Sequence, residues 1–260
     1  HLLKGFQMNN IISIAKNTFK ETIRDKILYG IIVFALLFLG STIFLGAISL
    51  GEDLKVIKDL GLAGIYVFSL IITIFLGASL IYKELEKKTV YILFSKPVSI
   101  FEFIVGKFLG LWLSIILNVF LMAGVFIIIL AAKGGGFDWL ILASIAISLF
   151  ELAIFVGLTI FFSSFTTPLA TTLFAIIILY IGHSLNLLRN YAERAGGIAK
   201  YLGEVVYYVF PNLEKFNLRN LVVYNITPDS SQIIYPILYS ILFCAIFVWG
   251  AIAALKSQDL

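Results

Sequence analysis

The chain has 260 residues, 61% of them hydrophobic and 13% charged, with a mean hydropathy of +1.05. Those values fall outside the range of soluble globular domains and describe an integral membrane protein, with room for about six spanning helices of about 20 residues each. Against 15 acidic residues stand 19 basic ones, a modest excess that reads as membrane topology, and no nucleic-acid partner is expected.

The residues HLLKGFQ ahead of Met8 read as a short tag or leader and are set aside from the fold argument. From Asn10 to Ile27, the apolar positions Ile12, Ala15, Phe19, Ile23 and Ile27 recur every three or four residues, while Lys16, Lys20, Glu21, Arg24 and Asp25 fill the other faces. This spacing predicts a basic amphipathic helix on the membrane surface. No cleavable signal peptide follows it. Uncharged runs near Leu28 to Leu50, Leu62 to Tyr82, Phe108 to Ala132, Trp139 to Ser163, Pro168 to Leu187 and Ile233 to Leu255 predict six crossings at 1.5 Å of rise per residue. The whole of 1–260 is expected to form one membrane domain. Cys244 is the only cysteine, so no disulfide forms within the chain.

Six crossings put both ends on one side. If that side is the cytoplasm, the inner segments hold 11 basic and 6 acidic residues, and the outer ones 8 of each. Five of the outer basic residues lie in the long connection from Leu188 to Gln232, where the positive-inside rule weighs them less. Both termini are therefore expected to be cytoplasmic in a multi-pass protein of the cell membrane.

Between the second and third spans lies a charged cytoplasmic segment, 83–99. Lys83, Glu84, Glu86, Lys87 and Lys88 alternate in sign and lead into Val90, Ile92, Leu93 and Phe94. Such a segment lies at the interface, offering its charges to a water-soluble partner, and Pro97 ends it. A plain loop that enforces topology is the alternative. Gly106 and Gly110 make a small-xxx-small pattern, read here as incidental in a chain with 20 glycines. Gly134, Gly135 and Gly136 mark a tight external turn.

Within the fourth span, Glu151 is an isolated carboxylate that costs roughly 2.5 to 3.5 kcal/mol to insert. It must be protonated, partnered or facing water. Counting residues places His183 of the fifth span at a matching depth. The pair reads either as a substrate-contacting or proton-sensitive element, or as an interhelical hydrogen bond that fixes packing. With two histidines in the chain, one of them His1, no metal site is expected. The connection 188–232 mixes charges with aromatic residues, including Tyr207 and Tyr208 ahead of Pro211 and Glu214. It predicts short helices at the outer interface, either a seal against leakage or a docking surface for an extracytoplasmic partner.

The run KELEKKTVYILFSKPVSIFEFIVGKFLG resembles the signature of type 2 ABC transporter permeases. IAKNTFKETIRDKILYG is similar to that family's elbow helix, and FFSSFTTP, YIGHSL, FPNLEKFN and the terminal LKSQDL resemble later landmarks of its branch typified by the permease of nitrous oxide reductase maturation. One departure is Lys88, where the family often has Gly before the Thr at position 89.

The resemblance implies an all-α fold with six transmembrane helices, an N-terminal elbow helix carrying Lys16, Lys20, Glu21 and Arg24, and an external helical segment before the last span. It makes 83–99 the coupling helix, with Lys83, Glu84, Glu86, Lys87, Lys88, Thr89, Ser95, Lys96 and Pro97 facing a cytoplasmic ATP-binding subunit. No G-x-x-x-x-G-K-[ST] loop occurs in the chain, so the resemblance places ATP and Mg on that partner and leaves this chain without a cofactor. The expected assembly pairs two permease chains, as a homodimer, with two ATPases in membrane lipid, working as an exporter. A proton-coupled secondary transporter using Glu151 and His183, or a non-transporting scaffold, are the alternatives. The substrate does not follow from the sequence.

Overall fold

In the computed structural model, residues 2–48, 52–86, 98–136 and 138–257 are described, with side chains from Asn9 onward. The described residues contain helices and turns and no strand. The elements are α1 (Leu2–Ile23), α2 (Lys26–Ile48), α3 (Asp53–Leu80), α4 (Tyr82–Glu86), α5 (Ile100–Ala132), α6 (Trp139–Ser163), α7 (Pro168–Ala195), α8 (Gly197–Val209), a 3-10 turn (Leu213–Phe216), α9 (Arg219–Val223) and α10 (Ser230–Lys256). Among the described residues, six helices are long and apolar enough to cross a membrane: α2, α3 continued through α4, α5, α6, α7 and α10. With no water in hydrocarbon to serve backbone N–H and C=O groups, helices satisfy them internally.

The helix limits extend beyond the uncharged runs. The second span begins at Asp53 instead of Leu62, the third at Ile100 instead of Phe108, and the fifth continues to Ala195. Charges end an apolar run without ending a helix. Asp53, Lys55, Lys58 and Asp59 are carried on the first turns of α3. On α5, Ser99 and Glu102 form a reciprocal capping box that starts the helix. The fourth span matches its predicted limits, because Asp138 caps it and accepts a bond from the Leu140 N–H at 3.0 Å.

The innermost helices are α3, α5 and α6. From Glu151 to Ile160 every residue of α6 is buried, whereas α2, α7 and α10 turn most of their surface outward. Close approach is set by glycines. A Cβ added at Gly61 of α3 would lie 2.1 Å from the Phe126 ring of α5, and one at Gly77 would lie 2.1 Å from Thr159 Oγ1 of α6.

The end of the bundle that carries α1 and α4 is called here the α1 end. The other, carrying the 3-10 turn and α9, is the cap end. At the α1 end, α1 follows α5 in a matched register of four-residue steps. Asn10 reaches Glu102 at 3.4 Å, Gly106 receives Ile14, and Gly110 receives Ala15 and Thr18. The Gly106–Gly110 pattern is therefore a working contact, correcting its reading as incidental: a Cβ on Gly110 would lie 2.5 Å from the Ala15 carbonyl oxygen.

The amphipathic helix also differs from its predicted extent of 10–27. It begins at Leu2, inside the residues set aside as a leader, and ends at Ile23. Asp25 then accepts the Ile27 N–H at 2.9 Å at the start of α2. Ala15, Thr18 and Thr22 form the face against the protein, while Ile12 is exposed, as is Ile27 at the start of α2. A small-residue face serves helix contact and leaves the larger apolar side chains for lipid.

Overpacking the α1–α5 contact has a predicted cost. Gly110→Val is expected to lower stability by roughly 1 to 3 kcal/mol, whereas Gly124→Ala, where an added Cβ meets nothing within 4 Å, is expected to be neutral or slightly stabilising. Thermal unfolding of both variants in detergent checks this; equal melting temperatures would remove Gly110 as a packing determinant.

Candidate functional site

Helices α3, α6 and α7 bring three polar side chains to one depth beneath the cap. Tyr66 follows Asp53 by 13 residues and Glu151 follows Asp138 by 13, so helices running in the same direction carry them to one level. His183 approaches from α7. The Tyr66 hydroxyl donates to Glu151 Oε1 at 2.6 Å, and His183 Nε2 lies 3.2 Å from both that oxygen and the Tyr66 oxygen. His183 Nδ1 faces the other way, 3.5 Å from Glu214 Oε2 on the 3-10 turn. An imidazole thus bridges a carboxylate buried among the spans and one on the cap.

Tyr66, Glu151 and His183 line a cavity of about 250 Å³. Its walls combine Leu62, Ile65, Ile145 and Phe216 with Ser144, Ser148 and Arg219. A mostly apolar hollow with a few convergent polar groups is the usual form of a small-molecule site. An ionisable residue inside a membrane bundle strengthens that reading.

The cap is tied down around the cavity. Leu213 fills the space over Gly182, where a Cβ would meet it at 2.6 Å. The Asn212 N–H donates to the Tyr239 hydroxyl oxygen at 2.8 Å, and the Asn212 amide donates to Asn186 at 3.0 Å. Arg219 pairs with Asp59 of α3 at 2.9 Å, and Lys58 reaches both Asp138 and Asn225 at 3.0 Å. Asn225 occupies a left-handed conformation with φ 52°, which asparagine tolerates better than most residues. Gly134, φ 76°, makes the turn between α5 and α6.

The second polar centre lies at the α1 end. Lys107 of α5 is only 3% exposed and is hydrogen bonded to Glu84 of α4. Its ammonium lies 3.8 Å from Glu21 of α1 and 5.8 Å from the Phe103 ring centre. One buried cation therefore joins three elements, and a buried charge is tolerated when it is paired in this way.

Among the residues singled out in the sequence, Glu151 and His183 come together, and Glu214 joins them. Glu84 and Glu21 meet at Lys107. Lys16, Lys20, Arg24, Lys83 and Glu86 are exposed, while Lys87, Lys88, Thr89, Ser95, Lys96 and Pro97 lie outside the described residues. Tyr207 lies beneath the Arg189 guanidinium at 4.8 Å and packs edge-on against exposed Tyr208. Pro211 is buried beside Gly182. Tyr66 and Lys107 were not singled out. The equal 13-residue offsets identify Tyr66, and Lys107 gives a sign as a cation seven residues into a helix that continues through apolar sequence.

Residues 12–189 match the family described as ABC-2 family transporter protein. That match covers about two-thirds of the chain. The chain belongs to the ABC-2 transporter family. It is the membrane permease component of an ABC transporter, a multi-pass transmembrane chain of a family whose members carry no ATPase site of their own and associate with an ABC ATPase. No curated protein matches it.

The hydrogen bond from Tyr66 to Glu151 gives the permease a measurable signature. Tyr66→Phe is expected to cost about 1 kcal/mol in the natural background, the usual scale for an interhelical bond in a membrane, and measurably less in a Glu151→Leu background, where only the 3.2 Å contact with His183 remains. Equal costs in the two backgrounds, read from unfolding in detergent, would show that the 2.6 Å contact contributes no coupling.

Proposed function

We propose that this permease works as an ATP-driven exporter of the cell membrane, with both termini in the cytoplasm. Two copies form the pathway, and two cytoplasmic ATPase subunits, which bind the ATP and Mg, drive it. The α1 end faces those subunits in this reading, and segment 83–99 is the part that docks on them. The carrying observation is the placement of Lys107. It connects Glu84, at the start of that segment, with Glu21 of α1 through a spanning helix. A displacement of the docking segment would therefore act on α1 and α5 together.

Closing of the ATPase pair on nucleotide then biases two arrangements of the permease halves. On the opposite face, the cap formed by residues 197–223 seals the pathway and releases substrate outward. Family membership favours this reading over a proton-coupled secondary transporter or a membrane scaffold. Resemblance to the nitrous oxide reductase maturation branch leaves a role in assembling an exported enzyme within its scope.

Isolation of the chain from its native membranes in mild detergent is expected to bring down an ATP-binding subunit in equal proportion. Glu84→Lys, which sets a second cation against Lys107, is expected to reduce that recovery or to uncouple ATP hydrolysis from transport, while the variant retains its elution as a folded species. Transport persisting without any ATPase partner would overturn the proposal.

A further inference from the structure

The bonds described at Glu151 all fall on one of its two oxygens. Tyr66 and His183 both address Oε1, and Oε2 has no partner among the described residues. Glu151 is 2% exposed yet lines the 250 Å³ cavity. A buried carboxylate on the wall of a hollow, with one oxygen held by two neighbours and the other without a partner among the described residues, is placed to receive a ligand. From this geometry we infer that the cavity beneath the cap is a binding site for a small protonated amine carrying a short apolar body.

The charges favour a cation over an anion. Two carboxylates, Glu151 and Glu214, flank the single imidazole of His183. The guanidinium of Arg219 also lines the cavity, but its charge is matched by Asp59 at 2.9 Å. Whether the imidazole holds one proton or two, the ionised cluster retains negative charge, which a monocation compensates. An ammonium N–H donates to Glu151 Oε2. A second can donate to Ser148, whose own hydroxyl proton is directed to the Ile145 carbonyl at 2.8 Å, leaving its oxygen free to accept.

Leu62, Ile65 and Phe216 supply the apolar wall. At about 250 Å³ the cavity lies below the 300 to 1,000 Å³ common for drug-sized ligands, which limits the body to a short chain or one ring. This deepens the exporter reading by naming a substrate class, and it rests on that reading only for the word substrate. Binding itself is a property of this chain.

The test is calorimetric titration of the full chain in detergent with methylammonium, butylammonium and phenethylammonium, each against the neutral alcohol of the same carbon skeleton, and with phenylacetate as the anion. Saturable binding of at least one amine is expected, with its alcohol at least tenfold weaker. Glu151→Gln is expected to weaken the amine at least tenfold. Ser144→Leu, which fills the cavity without touching the carboxylate, is expected to weaken it as well, and keeps the test available if the first variant does not fold.

Amine and alcohol binding equally, no amine binding at all, or amine binding that survives both substitutions overturns the assignment. Preferential binding of phenylacetate overturns it too and assigns the cavity to Arg219. Failure to recover an ATPase leaves this result untouched, so the two proposals fall separately.

Discussion

Between helices immersed in lipid, burying one apolar side chain against another gains little, because lipid tails are as apolar as leucine. What remains to hold such a bundle is shape and a small number of polar bonds. The permease meets this constraint by setting glycines opposite bulky side chains at successive helix contacts. Gly61 admits Phe126, Gly77 admits Thr159, Gly182 admits Leu213 and Gly250 admits Phe161. At each of these positions an added Cβ would come closer than 3.0 Å to its neighbour. The backbone separations, and hence the depth at which side chains from different helices meet, follow from these fits.

Polar groups are then placed where the close-packed frame leaves room for them. Their distribution is uneven. Long-range ionic contacts among the described residues gather at the α1 end around Lys107, and at the cap end around His183, Lys58 and Arg219. Between these levels most interior hydroxyls bond back to their own helices, as Thr73, Ser114 and Thr159 do, and two reach across: Ser240 donates to the Phe150 carbonyl at 2.6 Å and Ser69 to Met122 Sδ at 3.9 Å. Hydroxyls that bond back to their own helix do not bind neighbouring helices to one another. Among the described residues, ionic links between distant elements are thus confined to these two clusters, and movement between arrangements would have to break or carry along the few bonds in each.

Much of this was legible in the sequence, because hydrocarbon imposes length and composition on any spanning helix. The fourth span was read to the residue because Asp138 and the turn after Ser163 terminate both the apolar run and the helix. The third span was read eight residues short. Glu102 and Lys107 look like the end of a membrane segment until their partners Ser99, Glu84 and Glu21 are seen. A charge counts as exposed in a linear reading and becomes tolerable only through a partner distant in sequence.

The Glu151–His183 pairing was within reach because rise per residue converts sequence position to depth. Tyr66 obeyed the same arithmetic but carried no charge to attract notice. Glycine function was the least legible. Gly110 and Gly124 both lie on α5, yet one meets the Ala15 backbone and the other meets nothing.

The arrangement at Glu151 is also informative because a purely structural bond requires less. Joining α3 to α6 needs only Tyr66 and one carboxyl oxygen, and an amide would serve that role without the cost of a charge in hydrocarbon. His183 adds a link to the cap through Glu214, which aligns the cavity floor with its lid. A packing device also has no use for a hollow, since an empty space within a membrane bundle forfeits dispersion contacts on every wall. Charge, orientation and space coincide at this one level of the bundle. Together they describe a place kept for something that is not part of the chain.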